Sequence, residues 1–317
     1  MLSVFDIFKV GLGPSSSHTN GPMLACYTFL NENNFLISKI ESIKITLYGS
    51  LSLTGKGHYT DLACIYGLLG YAPYNVVPNK IKPLFKEVNE KFKLLLNKEK
   101  YIKFNPNTDI IFSNKTLDYH QNSMKIDLLD KNQINLKSGI YYSTGGGFIV
   151  NEDEIKESSN TLKESIQNPL YNFSTGADLE KQSVENNISI EELVFQNELS
   201  SLSKKDIEEK INLIWNVMNS SIETGLHTTG VLNKKLGVVR RAPEMYTQLQ
   251  NISLSKDPLT LMDWINTFAM AVSEENASLG KIVTSPTNGS AGVIPAVLKY
   301  YDKFIKKLTI KELKTFF

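Results

Sequence analysis

"INLKSGIYYSTGGGFIV" (134–150) alternates apolar and polar residues over a strand-length run, breaks at three glycines and resumes with Phe-Ile-Val. β-Branched and aromatic residues at this spacing predict two strands joined by a glycine turn. Upstream, "YIKF" (101–104), "DIIFS" (109–113) and "SMKIDLLD" (123–130) carry the same signature, and Asp130–Lys131–Asn132–Gln133 supplies the turn before residue 134. "SIKITLYGSL" (42–51) is a further strand. Three helices accompany them. Pro22 opens an apolar segment through Leu30; Thr60 or Asp61 caps a helix through Leu69 that Gly70 stops; and residues 80–98 read as an exposed amphipathic helix.

Residues 1–160 therefore form one α/β unit, sandwich-like in character. Residues 161–187 continue a polar run that starts at 151 and read as a linker. Beyond it the strand signal fades. Ile207, Ile211, Ile214 and Met218 recur at helical spacing behind a Ser203/Asp206 cap, and Leu261, Trp264, Ile265, Phe268 and Val272 form a second stripe, entered at Asp257–Pro258 and ended by Gly280. A third helix follows "SPTNGSAG" (285–292). The second unit, 188–317, is expected to be all-helical, so the chain as a whole is α+β.

Composition narrows the function. A formal net charge of +1, with charged residues at 21% and hydrophobic ones at 41%, suits a globular protein and argues against non-specific nucleic-acid or membrane binding. No apolar run reaches the roughly 18 residues that suggest a membrane span, and the N-terminus lacks the pattern of a signal peptide; a cytoplasmic location is the expectation. The two cysteines, Cys26 and Cys64, lie in apolar helix-like runs and read as buried, inert thiols. Neither HExxH nor CxxC occurs, so the residues themselves suggest no metal site.

Chemistry concentrates in four loops. They are Ser15–Ser16–Ser17–His18–Thr19; Thr54 to Asp61 with Lys56, His58 and Thr60; Ser143–Thr144–Gly145–Gly146–Gly147; and Thr287–Asn288–Gly289–Ser290. Serines before a helix are ordinary caps and a glycine triplet is an ordinary turn. Taken together, however, the loops hold His18 and His58, and His120 lies in a similar polar loop of the same unit. Imidazoles exchange protons near neutral pH, and glycine loops let backbone N–H groups converge on a carboxylate. The set suits a small anionic substrate that gains or loses a proton. His227, in "GLHTTG", has no such company.

"SVFDIFKVGLGPSSSHTNGPM", "YGSLSLTGKGHYTD", "YYSTGGGFIV" and "IVTSPTNGSAGVIPAVL" resemble, in this order along nearly the whole chain, the bacterial iron–sulfur-dependent L-serine dehydratases (L-serine ammonia-lyases) of the single-chain type. The resemblance implies conversion of L-serine to pyruvate and ammonia, with a [4Fe–4S] cluster as Lewis acid on the serine hydroxyl and no pyridoxal phosphate. It implies a proton-transfer role for His58, tuned by Asp61 or Lys56, with His18 and His120 at or near the reacting atoms. Ser15, Ser16, Ser17, Thr19, Thr60, Ser143, Gly145, Gly146, Thr287, Asn288 and Gly289 would line the substrate site, and a homodimer is implied. The family's three cluster cysteines lie downstream of the last motif, and this chain has none there. The expectation is a truncated catalytic unit, with apolar faces such as Trp264/Phe268 left without partners and a second polypeptide as a possible source of the cysteines. The competing expectation is a non-catalytic module that only binds an amino acid or a partner chain.

Overall fold

The computed structural model describes residues 1–157, 165–233, 237–251 and 258–317. The chain enters through a short strand, β1 (Val10–Leu12), and turns into helix α1 (Gly21–Glu32). A five-stranded sheet follows: β2 (Ser42–Tyr48), β3 (Ile110–Phe112), β4 (Asn122–Leu129), β5 (Asn135–Gly145) and β6 (Phe148–Asn151), in spatial order β3-β2-β4-β5-β6. Only the β2–β3 pair is parallel. Period-two patterning decides the core face: Ile43, Ile45 and Leu47 of β2 are fully buried while Lys44 between them is exposed. Each such side chain contributes about 1.5–3 kcal/mol of burial. Helices α1 and α2 (Thr60–Leu68) pack on each other and share this core, with Met23, Phe29, Ile65 and Leu68 inside it.

The turn between β5 and β6 is the glycine triplet. Gly145, Gly146 and Gly147 all have positive φ, at 98°, 57° and 74°, a run that side chains with a Cβ strongly disfavour. The segment 80–98 divides differently from its sequence reading. A helix spans Pro78–Lys91, Phe92 ends it in the left-handed conformation, and Lys93–Leu96 pairs with Lys100–Lys103 as a separate hairpin. Burial of Leu94, Leu96 and Ile102 in the common core pulls this stretch out of helix. "YIKF" therefore belongs to the hairpin and not to the main sheet.

The second half is built on α3 (Lys204–His227), α4 (Pro258–Ala277) and α5 (Val293–Phe304). Ile207, Ile211, Ile214 and Met218 are buried as their spacing requires. Asp257, read as part of the α4 start, and residues 158–164 of the polar run lie outside the described residues. The interval read as a linker holds a helix, Gly176–Asn186, opened by a Thr175/Asp178 capping box. Trp264 and Phe268 do have partners. They are buried against Tyr246, Phe304 and Ile222, so the expected bare face is absent there; Leu261, by contrast, is exposed. Nor is this half purely helical. Val231–Asn233 and Val238–Val239 form a small hairpin, and β7 (Lys281–Val283) pairs antiparallel with β1.

That β1–β7 ladder, Val10↔Val283 to Leu12↔Lys281, joins the two halves of the molecule. Asn20 Nδ2 and Asn288 Nδ2 both donate to the Leu12 carbonyl at 2.9 Å, and Asn276 Nδ2 donates to the Pro14 carbonyl at 3.3 Å. The seam ends where residues 15–19 begin.

Candidate active site

Residues 16–20 form a single wide helical turn that leads into α1. Ser15 is its cap, accepting the His18 backbone N–H at 3.1 Å, so the bland reading of the serine run holds for that residue. Ser17 Oγ lies 2.9 Å from His18 Nδ1, and Ser50 Oγ lies 2.9 Å from His18 Nε2. The imidazole is thus held by a hydroxyl at each nitrogen.

Loop 54–61 meets this turn through a reciprocal brace. Thr19 Oγ1 donates to the His58 carbonyl at 2.8 Å, and Thr60 Oγ1 donates to the His18 carbonyl at 2.6 Å. Both threonines are fully buried. They fix the backbone of the opposite histidine and present no surface to a ligand, which makes them braces instead of the substrate contacts the sequence suggested. Nor does either Thr60 or Asp61 cap α2: its cap position is Tyr59, in the left-handed conformation at φ 56°, with no side-chain cap bond.

The brace brings the His18 and His58 rings to a centroid distance of 4.8 Å. His58 Nδ1 lies 2.9 Å from the Thr54 carbonyl, which can only accept. In the neutral ring Nδ1 therefore carries the proton and Nε2 carries the free lone pair. Burial, and then the neighbouring charge of His58, hold His18 below the ordinary imidazole range, against an opposing hydrogen bond from the Ser50 backbone. Lys56 and Asp61 pair with each other at 2.6 Å, and the Lys56 ammonium lies over the Phe112 ring. The His58 ring is anchored by Thr54 and not by this pair.

The other loops approach from two sides. Gly21, the first residue of α1, abuts Ser143: a Cβ added to Gly21 would fall 2.1 Å from Ser143 Oγ. Ser143 Oγ, Thr144 Oγ1, Ser123 Oγ and Asn122 Oδ1 are buried with no hydrogen-bond partner, although Asn122 Nδ2 donates to the Ser143 carbonyl. Such groups are costly unless something else satisfies them. Pro286 of the 285–290 loop reaches the neighbourhood of Gly146. Within that loop Thr287 Oγ1 and Ser290 Oγ are 3.0 Å apart, Gly289 is exposed, and Asn288 is buried at the seam. His120 accepts the Asn122 N–H at Nδ1, and its neighbour Gln121 accepts the Ser50 N–H. His120 therefore stands next to the Ser50 turn.

Ser50 and Asn122 were not singled out by sequence. Ser50 lies inside a quoted motif, where Gly49, with φ at 52°, marks the sharp turn that presents it. Asn122 sits at the start of a strand, and nothing local distinguishes it.

The implied iron–sulfur cluster can be tested against the cysteines. Cys26 and Cys64 are both fully buried in the core of the first half. A hydrogen bond from Cys26, reinforced by burial, drives the Cys64 thiol well above its ordinary range. A cluster needs accessible thiolates, usually more than two. No group of three or more His, Cys, Asp or Glu among the described residues could hold a metal ion. The residues present do not fit such a cluster.

An α+β chain whose loops gather paired imidazoles, hydroxyls and a glycine turn at a two-part seam has the site architecture of a small-molecule enzyme. The family profile described as serine dehydratase beta chain matches residues 3–154, and that of the alpha chain matches residues 185–317. L-serine dehydratase of Haemophilus influenzae is 44% identical over 98% of this chain and 68% of its own length. L-serine dehydratase 2 of Escherichia coli is 42% identical over 99% and 69%, and the L-serine dehydratase of Streptomyces coelicolor 38% identical over 96% and 67%. The chain belongs to the serine dehydratase family, whose characterised relatives are carbon–nitrogen lyases. No helix among the described residues is long and apolar enough to cross a membrane.

Proposed function

We propose that this chain holds L-serine at the meeting of its four loops and handles the proton in its dehydration to pyruvate and ammonia. The observation that carries this reading is the Thr19/Thr60 brace, which sets His18 against His58 beside buried hydroxyls that have no internal partner. His58 Nε2, left with its lone pair by the Thr54 carbonyl, is the acceptor for the Cα proton. His18, kept neutral near pH 7, orients substrate through the Ser17 and Ser50 hydroxyls without adding a second cation. Ser143 and the glycine turn offer hydrogen-bonding capacity to the carboxylate. No step is assigned to an iron–sulfur cluster, because the two buried thiols do not supply its ligands.

That mismatch favours a second reading, in which the chain binds an amino acid without turnover. Calorimetry tests the L-serine binding that both readings require, and pyruvate release by a chimera carrying the remaining third of the Haemophilus influenzae relative separates them. We expect saturable binding, and turnover in the chimera that His58→Gln reduces by about 10²–10⁴. Binding without turnover in the chimera supports the second reading. Wild-type turnover in His58→Gln removes that residue from the mechanism.

A further inference from the structure

A cavity of about 560 Å³ reaches the β1–β7 ladder at Lys281, and its lining shares no residue with the four loops. Val77 and Pro78 line it from the first half of the chain; α3, Arg240, the end of α4 and the turn into β7 supply the rest. Asn216, Ser220 and Thr224 recur every four residues along α3 and face it as one polar stripe. Their side chains have no hydrogen-bond partner among the described residues. Arg240, Glu275 and Lys281 line the same cavity.

These three groups leave one positive charge over. Arg240 Nη1 lies 2.6 Å from Glu275 Oε1, and Arg240 Nη2 donates to Ser278 Oγ at 2.5 Å. The Arg240–Glu275 contact is an ion pair without hydrogen-bond alignment, and both atoms are buried with no aligned partner. Lys281 has no acidic partner among the described residues, and burial alone lowers its ammonium below the ordinary lysine range. A half-buried cation without a counter-ion opposes folding, and an anion bound in the cavity removes that opposition. The cavity thus combines one unneutralised cation, a misaligned guanidinium and a row of free hydroxyl and amide groups.

We propose that this cavity binds a small hydroxy-carboxylate, with Lys281 as the counter-ion of the carboxylate and the Asn216–Thr224 stripe receiving the hydroxyl. One net positive charge matches a monocarboxylate and not a phosphate dianion.

The probe is L-lactate, titrated into the full chain and followed by the methyl resonances of Val77, Val217 and Leu279, which line this cavity, and of Leu51, which does not. The cavity methyls should shift saturably. L-Lactamide, of similar shape without the charge, should leave them unmoved. Lys281→Gln should weaken lactate binding by about ten- to a hundredfold, the loss of one charge-assisted hydrogen bond, while Lys281→Arg should keep it within a few-fold. A melting curve shows that each variant is folded. His18→Ala should leave the cavity titration unchanged, which separates this site from the serine loop. Cavity methyls that stay still, that respond equally to lactamide, or that titrate identically in Lys281→Gln overturn the proposal.

Discussion

Gly21→Ala tests whether the contact between α1 and β5 shapes the site. The added Cβ would lie 2.1 Å from Ser143 Oγ and 2.7 Å from Ser143 Cβ, distances that real contacts do not reach. The Ser143 hydroxyl has no partner to lose and can rotate away, but the contact with its Cβ remains. Helix and strand must therefore part by more than half an ångström to restore ordinary contact. Overpacking of this kind costs about 1–3 kcal/mol, offset by up to about 1 kcal/mol for replacing a helical glycine with alanine. A net loss of about 1–2 kcal/mol should lower Tm by roughly 1.5–3 °C for a protein of this size. Because His18 sits three residues before Gly21 on the same turn, the shift should also displace the imidazole. Misplacements on this scale can cost about 10²-fold in turnover, readable in the chimera. Ser143→Gly removes the opposing atoms, so Gly21→Ala/Ser143→Gly should recover most of the loss, a coupling of about 1–2 kcal/mol. Urea denaturation of the four proteins measures it. Strictly additive losses, or a Gly21→Ala variant as stable as the parent, would refute the reasoning.

Three further expectations are independent of that contact. Anaerobic reconstitution of the isolated chain with iron and sulfide should yield no stoichiometric cluster, since both thiols are buried in one core; a brown product with four irons per chain contradicts this. His18 is held low by burial and by His58, so it costs stability as pH falls below the ordinary imidazole range towards its folded value and costs nothing above it. His58→Gln should accordingly raise the His18 titration midpoint seen by NMR, and an unmoved midpoint would rule out the coupling. Burial brings the Lys9 ammonium down to about 8, beneath the Phe148 ring. The unfolded chain keeps a proton that the folded one releases between about 8 and the usual lysine range, so stability should rise with pH across that window. Lys9→Met should be more stable than the parent at pH 7 by about 1 kcal/mol, after solvent screening and the lost cation–π contact are allowed for. The advantage should fade as pH climbs past 8, and a constant difference from pH 6 to 10 would count against the assignment.

Local sequence determined much of this molecule. Alternation in 42–48, 122–129 and 135–145 placed the main strands, because a half-buried strand needs its apolar residues two apart. Isoleucine and methionine at helical spacing in 207–218 placed the core face of α3 for the equivalent reason. The histidines and serines of the first two loops were legible by type, since few structural roles call for an imidazole among hydroxyls and glycines. Tertiary structure decided what those side chains do. Thr19 and Thr60 look like ligand contacts in the sequence and become braces because each finds a carbonyl about forty residues away. Ser50 joins the site only because the turn after β2 lands beside residue 18. β1 and β7 are three residues each, too short for any periodicity, and each exists as a strand because its partner lies about 270 residues along the chain. Periodicity reports which face of an element is buried. Which hydroxyl meets which carbonyl depends on distances set by packing between elements, and no local pattern carries that information.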